Sequence, residues 1–382
     1  ILFIIIFISL PITWIFMLRL ASINLRKLSI PGILILSILI FQYFGYPVLF
    51  FNLDINRNEL INDNTILIKA FFWSSLTITL LILGFIIARK NFGPMHYKNE
   101  FSKMKSSVPE NILIHIIFLF GLFVLLNYIN KIGFSKIALF AVLDITETGE
   151  KASYLRSEMG NNFSGKYHWY SLFMRDFIQL SSLAFFARYI SLKSILSLVT
   201  FIISFIVTSF SMTISIEKGP FMWYLVSLFM VYILIKNKGY FSLKKILITL
   251  PFFLLIIGFI YVQFMGASDV YIGFKSAFSR ILTGQIQGVY HYLCIFPEKK
   301  DFLLGLSMPN PGGIFPWEPF RLTVEVMNIV FPNNNGVVGS MPTFFWGEMY
   351  ANFSYLGILI PPVFIGILLY WFNFQFIRLQ SS

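Results

Sequence analysis

The 382-residue chain is 57% hydrophobic and only 12% charged, with a mean hydropathy of +0.77. A water-soluble domain carries roughly a quarter of its residues as charges, so that class is excluded and a polytopic helical membrane protein remains. The formal charge of +12, from 29 basic and 17 acidic residues, raises nucleic acid as a partner, but its distribution along the chain argues against one.

Apolar runs that can cross a hydrocarbon core of roughly 30 Å predict spanning helices at about 1–18, 30–51, 66–88, 111–129, 168–187, 195–216, 219–235, 246–264 and 347–372. The chain opens on Ile, so we expect the protein to begin upstream. Residues 1–18 have neither a basic leader nor a small-residue cleavage site and read as a membrane helix, not a signal peptide. The connection 19–29 holds Arg19, Arg26 and Lys27 with no acid, whereas 52–65 sets Arg57 against Asp54, Glu59 and Asp63. Segment 89–110 is basic again (Arg89, Lys90, Lys98, Lys103, Lys105), as are 188–194 (Arg188, Lys193), 236–245 (Lys236, Lys238, Lys244, Lys245) and the tail at Arg378. Every second loop is thus short and basic, the signature of a cytoplasmic face. The lipid bilayer is the expected partner and nucleic acid is not.

Loop length is equally asymmetric. The other face carries two long segments, 130–167 and 265–346, both apolar and aromatic throughout, and long loops of this kind are usually functional. The expected architecture is all-α, a transmembrane bundle forming a single membrane domain over 1–382, with short helices in the larger outer loop. Its Pro/Gly-rich stretch "MPNPGGIFPWEP" (308–319) divides that loop into two helical pieces.

Within 130–167, "YLRSEMGNNFSGKYHWY" (154–170) carries Arg156, Glu158, Lys166 and His168. The helix after it buries Arg175 and Asp176; neighbours on a helix point about 100° apart, so these two need not pair with each other. Glu217 and Lys218 lie in the outer turn "ISIEKGPF" (214–221). In "SAFSRILTGQIQGVYHYLCIF" (276–296), Arg280, Gly284, Gln287 and His291 fall on one narrow stripe. The stripe either faces water from an interfacial helix or lines a cavity where Arg280 binds an anion and His291 a proton or hydroxyl. In "EPFRLTVEVMNIVF" (318–331), Arg321, Glu325 and Asn328 repeat at i, i+4, i+7, as a surface ion pair or as an arginine oriented for phosphate by Glu325. Glu348, Asn352 and Tyr355 share that spacing at the start of the last helix. The helix dipole accounts for Glu348. An amide and a phenol on the same face suggest a cavity or substrate path.

Trp169, Tyr170, Trp317, Trp346 and Tyr350 form an aromatic belt, some members of which can stack on sugar rings. The sequons at Asn162 and Asn352 read as chance matches. The single cysteine, Cys294, cannot form an intrachain disulfide, and no Cys/His spacing suggests a metal site. No P-loop, dinucleotide fingerprint, HExxH or DxD-like pair occurs, and the outer acids are scattered, so no cofactor or metal is expected. Outer cations, a few carboxylates, a histidine and aromatics suit a lipid-linked sugar diphosphate. Such a leaving group needs cations to stabilise its developing charge and a base near the acceptor hydroxyl.

The stretch "GSMPTFFWGEMYANFSYLGIL" (339–359), after a large outer loop with an Arg-bearing helix, resembles the Wzy-type O-antigen and oligosaccharide repeat-unit polymerases. "YLRSEMG", "GKYHWYSL" and "IEKGPF" are similar to that group as well. The resemblance implies a GT-C-like fold in the bacterial inner membrane with its active site on the periplasmic side. It implies a glycosyltransferase that polymerises undecaprenyl-diphosphate-linked oligosaccharides, with a chain-length regulator membrane protein as a further partner. It makes Arg156, Arg280 and Arg321 candidates for diphosphate recognition, with Lys218 as a fourth. Glu348 matches the Glu of the family's Gly-Glu-x-Tyr pattern as base or orienter, and His291 is the competing base. Glu325, Asn352, Tyr350 and Tyr355 are the substrate-binding candidates. Where the family often has Asn-Phe-Gly, this chain has Asn352-Phe353-Ser354. The competing readings are an O-antigen ligase, which uses the same donor, and a lipid-linked oligosaccharide flippase. A flippase would place charges near mid-membrane and often shows internal repeats.

Overall fold

A computed structural model describes residues 2–54, 56–95, 108–143, 154–156, 158–160, 163, 167–241, 269–310, 313–318, 320–332 and 339–379, with isolated positions between 242 and 268. The described residues are helical and contain no β-strand. Six helices are long and apolar enough to cross a membrane, or up to seven if one bent pair counts as a single span. This is the signature of a helical multi-pass membrane protein. The expected span at 246–264 falls largely outside the described residues. The chain forms two compact units, one from residues 1–98, 243–335 and 339–382 and one from 99–242 with 336–338.

The first unit contains α1 (Leu2–Leu20), α2 (Ile30–Phe50), α3 (Asn64–Phe92), α4 (Val270–Ile295), α5 (Leu322–Val330), α6 (Phe345–Leu359) and α7 (Pro361–Leu379). Helices α3 and α7 approach until their backbones touch. A Cβ on Gly84 would stand 2.3 Å from the Val363 carbonyl oxygen, and one on Gly366 would stand 2.3 Å from that of Leu81. Small residues at such crossings let dispersion contacts accumulate where lipid supplies no hydrophobic drive. Polar side chains inside the unit satisfy one another. Trp14 Nε1 donates to Thr79 Oγ1 at 3.0 Å, Gln42 Nε2 donates to Ser74 Oγ at 2.9 Å, and the Tyr46 hydroxyl meets the same serine at 2.7 Å. Helix α2 passes through a π-helical turn at Leu39–Tyr43, which carries Gln42 and Tyr43 into the interior.

Two expectations about this unit change. The helix of the large outer loop is not a short piece: it runs 26 residues, Val270–Ile295, and packs on α2 so closely that a Cβ on Gly45 would stand 2.0 Å from the Leu282 carbonyl oxygen. The span expected at 347–372 is not one straight helix either. Helices α6 and α7 meet at a bend of 78°, and α6 is itself interrupted at Phe353 and Ser354.

The second unit contains α8 (Val108–Ile132), α9 (Ile178–Leu192), α10 (Ile195–Thr213) and α11 (Lys218–Lys236). A short helix Tyr167–Ser171 leads into α9 through a π-helical stretch, Leu172–Phe177. Buried hydroxyls pin its helices: Ser204 Oγ donates to Ser182 Oγ at 3.1 Å, and Ser182 meets the Tyr224 hydroxyl at 2.6 Å.

Candidate functional site

The first unit concentrates its polar chemistry on α4 and the connection before α3. Asp54, 2% exposed, accepts hydrogen bonds from Ser279 Oγ at 2.8 and 3.0 Å and from Thr283 Oγ1. A carboxylate so deeply buried is costly unless satisfied, and the two hydroxyls one turn apart on α4 satisfy it. Ser279 also accepts from Arg57 Nη1 at 2.5 Å, while Arg57 Nε donates to Gln287 Oε1 at 2.9 Å. Arg57 is thereby fixed along the α4 stripe read from the sequence. Gly284 borders the Arg57 guanidinium and the aliphatic stem of Arg280. A Cβ there would lie 3.7 Å from Arg57 Nη2 and 3.7 Å from Arg280 Cγ. Arg280 itself is exposed. Two arginine side chains bordering one small backbone position suit an anion such as a phosphate or diphosphate.

His291 continues the stripe but differs in kind. Its Nε2 is buried without a hydrogen-bond partner. Burial, and then the Lys299 charge, push its pKa down to about 4. Glu348 sits half-buried in the first turn of α6. Helix α6 packs against α4, and burial, and then the Glu348 carboxylate, push the Tyr292 phenol up.

The remaining members of the expected α6 face hold the fold. Asn352 is fully buried: Nδ2 donates to Ser307 Oγ at 2.7 Å and to the Glu348 carbonyl at 2.8 Å, and Oδ1 accepts from the Gly305 and Ser307 backbone at 3.1 and 3.4 Å. Tyr350 is 4% exposed and donates to the Phe296 carbonyl at 3.1 Å. Tyr355 does not continue the Glu348–Asn352 face, because Phe353 and Ser354 leave helical geometry between them. Its exposed ring packs on Trp73 at 5.2 Å and Tyr350 at 5.8 Å. Arg321 is exposed at the N-cap of α5. Glu325, expected to orient it, forms an ion pair with Lys300 at 3.6 Å, and that lysine covers the Phe320 ring at 4.1 Å.

The second unit holds Arg156 and Lys218. Arg156 is exposed in a helical turn at 154–156; Lys218 opens α11, and its side chain lies outside the described residues. A buried ion pair in this unit is one that the sequence left open. Arg175, 7% exposed, donates through Nη1 to Glu217 Oε2 at 2.6 Å and through Nη2 to Ser215 Oγ at 2.5 Å. Its guanidinium lies 5.8 Å from the Tyr167 ring centre, and its Nε is buried without a hydrogen-bond partner.

Sequence reasoning missed Arg57 as a site residue. Its only signal was a basic residue in an otherwise acidic outer connection, 230 positions from its partner Gln287. No protein-family model matches the chain, and no curated protein or solved structure is significantly similar to it, so the functional reading rests on its own residues.

Proposed function

We propose that the chain is a membrane glycosyltransferase that joins undecaprenyl-diphosphate-linked oligosaccharide units at the outer face of the bacterial inner membrane. The observation that carries this reading is the nearness of the Arg57 guanidinium and the Arg280 side chain to Gly284 on α4, with Arg57 held by Ser279 and Gln287 beside the buried Asp54. The motif resemblance at 339–359 supports it independently. In the reaction, an acceptor hydroxyl attacks the anomeric carbon of the donor. The new glycosidic bond forms as the bond to the diphosphate oxygen breaks, and the electron pair leaves with the diphosphate. The arginines stabilise that developing charge, and the hydroxyl proton passes to Glu348. Both lipid tails lie in one bilayer, which supplies proximity. Arg321 is a further exposed cation of the same unit, and Tyr355 an exposed aromatic.

The test is to supply lipid-linked repeat units, without core lipid, to the purified chain in proteoliposomes. Longer lipid-linked chains are expected, and their absence while core lipid restores transfer would identify a ligase instead. Arg280→Ala and Arg57→Ala should each lower extension by roughly ten- to a hundredfold, the loss of one charge-assisted hydrogen bond to phosphate. Glu348→Gln should lower it by about a hundredfold or more if the carboxylate is the base. Near-normal extension in the arginine variants would remove the diphosphate role.

A further inference from the structure

A groove of about 560 Å³ opens in the second unit where the C-terminal ends of α9 and α11 meet the start of α10. It lies at the opposite end of α11 from Lys218 and belongs to the face with short basic loops. Its mouth is cationic. Lys193 ends α9 in the left-handed conformation, with φ of 52°, and Lys236 lies in the last turn of α11; both are exposed. Ser194 caps α10, accepting from the Ser197 backbone at 3.2 Å, so the positive end of that helix opens at the same mouth. No acidic residue occurs on α9, α10 or α11; α8, packed against α9, brings Glu110 beside Asn111, which accepts from Arg188 Nη1 at 2.7 Å. The walls are apolar, formed by Phe186, Leu198 and the ring of Tyr232. The rim continues into an exposed apolar surface: Ile195 is 75% exposed and Leu196 72%.

We propose that this groove binds one anionic phospholipid, its phosphate between Lys193 and Lys236 and an acyl chain along the apolar wall. A cationic mouth above an apolar wall at the end of membrane helices is complementary to that amphiphile. A small anion would leave the wall unused, and a zwitterionic lipid would leave the cations uncompensated. The assignment is independent of the glycosyl-transfer reading.

The test uses the purified, delipidated full chain in detergent, with bound lipid counted by native mass spectrometry. Phosphatidylglycerol should bind at one tight site and phosphatidylcholine should not. The double variant Lys193→Asn/Lys236→Gln, with Asn chosen because it tolerates the left-handed backbone, should weaken that site by roughly thirtyfold. Lys193→Arg/Lys236→Arg should keep it. Should the double variant fail to fold, the wild-type chain still decides the matter, because raised salt must release the lipid. Equal binding of phosphatidylcholine, unchanged binding in the folded double variant or salt-insensitive retention would each overturn the proposal. Displacement by inorganic phosphate alone would assign the groove to a small anion and overturn it too.

Discussion

His291 and Glu348 entered as competing bases, and burial separates them. An imidazole whose pKa has fallen to about 4 is neutral at pH 7, the correct form for a base, but holds a proton weakly. The same shift predicts a pH dependence of stability. The folded-state pKa lies below the ordinary value of 6.5, so the unfolded chain takes up a proton first as pH falls. Stability is therefore full above about pH 6.5 and declines toward pH 4, by roughly 2–3 kcal/mol. Thermal melts in detergent should show this decline in the wild-type chain and a much flatter profile in His291→Phe. Identical profiles would show that the imidazole is not the group responsible. The α4 stripe that contains His291 was legible from spacing alone; the opposite characters of Arg280 and His291 were not, because exposure depends on what packs against each turn.

At the scale of elements, the break in α6 decides which side chains act together. Ser354 adopts φ 56° and ψ −143°, a region that glycine enters freely and other residues enter at a cost of about 1–3 kcal/mol. Ser354→Gly should raise the melting temperature by a few degrees, about 1 kcal/mol recovered, and leave extension activity near normal. A fall in melting temperature would show that the serine side chain is needed there. The break also explains why Tyr355 leaves the Glu348–Asn352 face. Periodicity assumes an unbroken helix, and a single residue outside helical geometry resets the phase. Asn352 follows from the same cause: just before the break, its amide bonds the Gly305 and Ser307 backbone and so holds the 303–307 turn.

For the whole molecule, the alternation of basic and long loops predicts a topology that labelling can check. In a Cys294→Ser background, Lys275→Cys on α4 and Lys193→Cys at the end of α9 should react with a membrane-impermeant maleimide from opposite sides of sealed vesicles. Reaction from the same side would reverse the outer-face assignment of α4 and with it the proposed reaction compartment. Composition and hydropathy by themselves determined that the chain is helical and multi-pass, because continuous apolar runs of about 20 residues suit membrane helices, whereas the other lipid-compatible structure, a closed barrel, uses alternating strands of about 10. They also placed most spans and the polar stripe of α4, since both depend only on local sequence. Tertiary structure alone decided that Arg57 meets Gln287 and Ser279, and that Arg175 finds Glu217 instead of standing beside Asp176 unassigned. It alone decided that Glu325 turns to Lys300. Each of these pairings joins residues brought together by packing, and a charge as buried as Arg175 takes whichever partner that packing supplies.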